Sequence, residues 1–276
     1  MPLTPSPLAS LVATVRCYDP LSKMSWSFLV VWAVCWLSIA SSLSAAEPKS
    51  SWEEVLDKAH LQKDLSRVQA VLDEQAAANQ RNSAWWTQRA RLEFEKARLN
   101  PVRSSAYKQH FANALKYAKD ATVLNPSSGR AHAWYAYILG AQIENADPET
   151  QIRNSFEIRT HLERGINLGE RTADSYFALG RWHYGLADLG WVTRKMAASL
   201  YAEPPVGSFV EAARNLQKAI DVEPQKLSAY LWLARTKLKL DDEAGARKIL
   251  EQALQVKNPL DDQNALVEIK KLLKSL

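Results

Sequence analysis

The chain has 276 residues, 47% of them apolar, with 9 glycines and a formal charge of +5. That is room for one large domain or two small ones, and the apolar fraction is typical of a globular core rather than a disordered tail. The mild positive balance favours an acidic partner or a membrane surface, but without the clustered basic stripe of a nucleic-acid binder, so nucleic acid is not an expected partner.

In chain order, the first predicted element is the uncharged segment Trp26 to Ala46, "WSFLVVWAVCWLSIASSLSAA". Its apolar heart followed by small residues fits a cleaved signal peptide, and its 21 residues also just reach the length of a membrane anchor. Residues 1–46 are therefore read as signal peptide or anchor, and 47–276 as a single helical domain. The domain is exported if the leader is cleaved; otherwise it is membrane-anchored. Flanking charges do not orient the segment, since Arg16 and Lys23 on one side are balanced by Lys49 and Lys58 on the other. Both cysteines, Cys17 and Cys35, lie in this leader, which leaves the domain without an internal disulfide, a cysteine-ligated metal or a cysteine nucleophile.

From Trp52 onward Val55, Leu56, Ala59, Leu65, Val68 and Leu72 recur at helical intervals, predicting one or two helices ahead of a repeat. Four segments are then alike: "ALKYAKDATVLNP", "HLERGINLGE", "EAARNLQKAIDVEP" and "GARKILEQALQVKNP". Each is preceded by a helix opening with an aromatic, taken as Trp86, Trp134, Tyr176 and Tyr230, and three of the four end at a proline. An aromatic opener, a small residue where two helices approach and a terminating proline make the tetratricopeptide pattern. The predicted fold is an all-α solenoid of helical hairpins, with repeats at about 83–126, 127–170, 171–224 and 225–259. A capping helix over 260–276 presents Leu266, Ile269, Leu272 and Leu273 on one face.

Spacing exposes an anomaly in the third repeat. Ala234 to Ala246 is 12 residues, whereas the equivalent Gly180 to Ala212 is 32, so 20 residues are inserted between its two helices. By the same measure the first and second repeats are smaller enlargements, expected as long interhelix connections. The insertion contains Trp191, Arg194, Lys195, Pro204 and Pro205. Trp191, Leu200 and Tyr201 are expected to fold it back onto the repeats, with the prolines ending its helix. Arg194 and Lys195 suit phosphate or an acidic tail, and equally suit a solvated face.

"HAWYA", "IRNSFEIRTHLERGINL", "ALGRWHY" and above all "WVTRKMAASLYAEPPVGSFVEAARNLQKA" resemble the regulator of microtubule dynamics family, over roughly Trp52 to the C-terminus. The resemblance implies a non-enzymatic protein whose partners are microtubules or other proteins. In some members it also implies a membrane anchor at mitochondria or the endoplasmic reticulum, and phospholipid binding.

Residues one, five and eight places after each opener should line the groove of such a solenoid. They are Thr87, Arg91 and Phe94; Tyr135, Leu139 and Gln142; Phe177, Arg181 and Tyr184; Leu231, Arg235 and Leu238. Arg91, Arg181 and Arg235 among the aromatics Tyr135, Phe177 and Tyr184 suit a ligand with an anionic head and an apolar body, such as an anionic phospholipid or an acidic peptide. Local ion pairs and packed core would use the same residues. No metal, phosphate-loop, dinucleotide or hydrolase fingerprint is present, so neither cofactor nor catalysis is expected.

Overall fold

The computed structural model describes residues 49–143, 146–257 and 263–276. The leader expected over 1–46 lies outside the described residues, as does Pro259, the proposed stop of the fourth repeat. The described residues form α-helices and no strand: α1 (Ser51–Leu61), α2 (Leu65–Ala77), α3 (Ser83–Arg98), α4 (Ser105–Leu124), α5 (Gly129–Ile143), α6 (Pro148–Asn167), α7 (Ala173–Ala187), α8 (Trp191–Leu200), α9 (Phe209–Val222), α10 (Leu227–Lys239), α11 (Glu243–Leu254) and α12 (Gln263–Ser275). None of them is long and apolar enough to cross a membrane.

Short polar residues start these helices. Asp64, Asn82, Ser104, Asp147, Thr172, Ser208 and Asp242 each accept a backbone N–H of the first turn, which satisfies one of the donors a helix start leaves orphaned. Pro148 opens α6, where its missing N–H costs nothing.

Packing follows a hairpin pattern: α3 on α4, α5 on α6, α7 on α9 and α10 on α11, with each pair stacked on the next. Small residues set the close approaches. A methyl group at Gly180 would stand 2.7 Å from Leu216 of α9, and one at Gly165 would stand 3.0 Å from the Gly129 carbonyl. Three apolar clusters run along the stack. Leu56, Val68 and Leu72 join Trp85 and Leu92 in the first; Phe94, Phe111, Ile138 and Leu162 centre the second; Leu216, Leu233, Leu250 and Ile269 centre the third.

Two sequence expectations are corrected. The enlargement of the first two repeats is in helix length rather than in connections, because α4 and α6 each run for 20 residues. The second repeat opens at His132 and not at Trp134: counted from the helix starts, Trp86, His132, Tyr176 and Tyr230 are each the fourth residue. The equivalence is chemical as well. Tyr230 donates its hydroxyl to the Pro224 carbonyl at 3.0 Å, and His132 Nε2 donates to the Pro126 carbonyl at 3.0 Å, so a histidine stands in for the aromatic opener.

That substitution has a pH consequence. With Nε2 donating to that carbonyl, His132 is neutral and its Nδ1 accepts from His161 Nδ1 at 2.8 Å. Burial holds both imidazoles below their ordinary value, and proximity to His132 helps push His161 down to about 4. Unfolding returns His161 to about 6.5, so the unfolded chain binds the extra proton between those values. Stability should be full above about pH 6.5 and fall as pH drops toward 4, with a loss of ~2 kcal/mol after discounting for partial solvent contact. Urea unfolding across that window checks this, and His161→Gln should flatten the dependence.

Candidate functional site

Two adjoining cavities lie along the face of α5 and α7, the first reaching α1 and α3 and the second walled also by α6. The first, about 560 Å³, is lined by charged groups: Asp57, Arg91, Arg130, Glu170, Arg171 and Asp174 among them. The second, about 430 Å³, is walled mainly by apolar side chains such as Ile143, Ile158, Phe177, Trp182 and Leu189, with Arg181 among its lining residues. Tyr137, Leu162 and Ala178 belong to both.

The corrected opener explains which side chains reach this face. Counted two and five residues on, the four helices contribute Gln88 and Arg91, Trp134 and Tyr137, Ala178 and Arg181, Trp232 and Arg235. These pairs are three residues apart and share a helix face. The arginine of one repeat reaches the aromatic of the next: Arg91 sits 5.1 Å over Trp134, and Arg181 lies 3.7 Å from the Trp232 ring centre. Arg235 covers the same Trp232 at 4.9 Å. A guanidinium near an indole face gains a cation–π attraction and can still hydrogen-bond through its N–H groups, as Arg91 does to Asp57 and Glu95.

The anticipated groove residues divide accordingly. Arg91, Phe177 and Arg181 line the cavities. Arg91 also donates to Asp57 at 3.0 Å and Glu95 at 3.2 Å, so it is both a groove residue and a local ion pair. Arg235 pairs with Glu268 of α12 at 3.2 Å, where the capping helix meets the last repeat. Tyr184 packs edge-on against Phe209 and Trp232 at 5.4 and 5.1 Å. Burial raises its hydroxyl's pKa above the usual phenol value. Thr87, Phe94, Leu139 and Leu231 are buried in the packing between helices.

Tyr135 is the clearest miss. It is buried, donates its hydroxyl to Glu157 at 2.7 Å, and stands edge-on to His161, so its place at the groove passes to Tyr137. Gln142 falls outside the lining of both cavities for the same reason, the two-residue slip in the opener. Burial, followed by the Glu157 contact, pushes the Tyr135 hydroxyl well above the ordinary range.

The insertion lines neither cavity. Arg194 donates to the carbonyls of Leu186 at 2.9 Å, Pro204 at 2.8 Å and Pro205 at 3.3 Å, clamping the end of α7 to the returning strand of chain. Ala197 is the buried contact of α8, and Pro204 and Pro205 are buried as well. Trp191, Leu200 and Tyr201 do not fold the segment back as anticipated; they are 69%, 63% and 42% exposed. Lys195 is exposed, with its ammonium 5.0 Å from the Trp191 ring.

Comparison with known proteins gives a consistent picture. The family described as Regulator of microtubule dynamics protein 1-3 matches over residues 50–276. Regulator of microtubule dynamics protein 1 of Bos taurus is 30% identical over 208 residues, covering 74% of this chain and 65% of that protein. The Mus musculus protein of the same name is 34% identical over 154 residues, covering 55% and 50%. The matched stretch thus spans one half to two thirds of those relatives' length. Among solved structures, a thermophilic tetratricopeptide protein of Thermus thermophilus superposes with a TM-score of 0.54 at 15% identity, over 81% of this chain and all of that one. That likeness bears on the fold alone.

Proposed function

This chain belongs to the regulator of microtubule dynamics family, and on that premise we propose that it is a non-catalytic adaptor binding an acidic partner segment with hydrophobic anchors. The observation that carries the reading is that Arg91 and Arg181 lie over Trp134 and Trp232 beside one charged and one apolar cavity. A guanidinium positioned against an indole can grip a carboxylate with less entropy cost than a free side chain, by adding to or exchanging its present acidic partners, and the apolar cavity takes the anchor. Relatives bear the name of regulators of microtubule dynamics, which makes the microtubule, with its acidic tubulin tails, the first partner to test. The full chain should co-sediment with microtubules at low salt and progressively less as salt rises, with Arg181→Glu lowering the pelleted fraction severalfold. Absence of pelleting at low salt overturns the microtubule assignment.

The composition of the second cavity favours one further reading, a phospholipid held with its acyl portion among Ile143, Ile158, Phe177 and Leu189 and its phosphate toward Arg181. Organic extraction of the purified protein followed by mass spectrometry distinguishes the two. Retained phospholipid that falls in Arg181→Glu supports the lipid reading, and lipid-free protein eliminates it.

A further inference from the structure

The outward face of α8 is built the wrong way round for a helix covering a soluble core. At 100° per residue, Arg194 and Ala197 share one side, where the carbonyl clamp and the buried contact are. The opposite half-turn holds Trp191, Val192, Met196 and Leu200, exposed by 69%, 59%, 57% and 63%, with Lys195 and Ser199 between them. An amphipathic helix normally turns such residues inward. Here the clamp prevents it, because rolling the helix inward would pull Arg194 off three carbonyl oxygens that nothing else in the segment serves. The apolar strip is therefore presented, on a braced element, to whatever lies outside.

From these observations we propose that α8 docks on an anionic lipid surface, with Trp191, Val192, Met196 and Leu200 entering the headgroup boundary and Lys195 reaching the phosphates. Size argues against a second copy of the chain. The strip offers on the order of 500 Å², short of the ~800 Å² per partner of a stable protein interface and within the range of single functional patches. Charge argues for lipid, because the outward face of α8 carries Lys195 and no acidic residue, Glu203 lying beyond the end of the helix. Composition points the same way. Tryptophan is the side chain favoured at the membrane interface, and a lysine beside it can lay its stem along the apolar strip while its ammonium stays with the phosphates. Shallow insertion of a short helix lying in the plane is the geometry such a face supports.

A fluorescence experiment on the full chain tests this. In a Cys17→Ser, Cys35→Ser background, an environment-sensitive label is attached at Leu200→Cys or, as a reference, at Val123→Cys, an exposed site on α4. Phosphatidylcholine vesicles containing phosphatidylserine and spin-labelled lipid should quench the label at 200 severalfold more than the label at 123. Trp191→Glu combined with Met196→Glu should remove that difference, and Arg181→Glu should not, which separates this surface from the groove. Equal quenching at the two positions overturns the proposal. So does a blue shift at 200 that grows with protein concentration in the absence of vesicles, which would assign the strip to self-association.

Discussion

Replacing Gly207 with valine is expected to destabilise the fold by about 3 kcal/mol or more and to lower the melting midpoint by roughly 6–12 °C. The chain returning from the insertion passes so close to α7 that a methyl group on Gly207 would stand 2.4 Å from both the Ala187 nitrogen and the His183 carbonyl oxygen. These are backbone atoms of a helix and cannot swing aside, so the return itself must move, taking with it the Pro204 and Pro205 carbonyls that hold Arg194. Gly190, at the other end of the insertion, has nothing within 4 Å of the same position, and Gly190→Ala should change the midpoint little. Calorimetry of the two variants checks both statements. Equal midpoints would mean that the return segment is not packed as described.

Arg130→Met is expected to cost about 3–5 kcal/mol. Glu53 accepts from the Ser50 N–H and hydroxyl at 2.9 Å in a capping box and pairs with Arg130, with only 4% of its side chain exposed. Arg130 also stands 4.0 Å from Glu170. Without the guanidinium, the Glu53 carboxylate is left in a shielded site with the Ser50 donors but without its ion-pair partner. A buried ion pair contributes little beyond its own desolvation, but breaking one leaves the full penalty. Adding Glu53→Gln to Arg130→Met should recover part of the loss, and urea unfolding of the single and double variants measures it. No recovery would locate the cost in lost packing of the arginine stem instead.

The fold was legible because tetratricopeptide hairpins write themselves locally: Gly180 and Ala212, Ala234 and Ala246, and a proline after α9 are all short-range signals of helix approach and termination. Register was less secure wherever a residue of different chemistry does the same job. His132 reaches the same carbonyl as a tyrosine would, and the more conspicuous Trp134 two places on drew the count away. In the first, third and fourth repeats, where the opener was placed correctly, Arg91, Arg181 and Arg235 could be found by counting; Tyr137 and Trp134 could not.

Two further features have no local signature. The pairing of Glu53 with Arg130 joins residues 77 apart, and no periodicity announces it. The exposure of Trp191 and Leu200 contradicts the ordinary rule that large apolar side chains face inward, and the rule fails here because Arg194, a charged residue, takes the inward side by satisfying carbonyls.

Tyr137, Leu162 and Ala178 wall both cavities, so an occupant of either one meets side chains that the other shares. A group that enters the apolar one and tilts the Tyr137 ring redraws the charged one at the same stroke, and the reverse holds equally. Two small fragments, one anionic and one aliphatic, should therefore change each other's dissociation constants by the same factor, whichever is added first. A single ligand that spans both would be selected on the distance between its charge and its greasy end, as a ruler is read, more than on the identity of either.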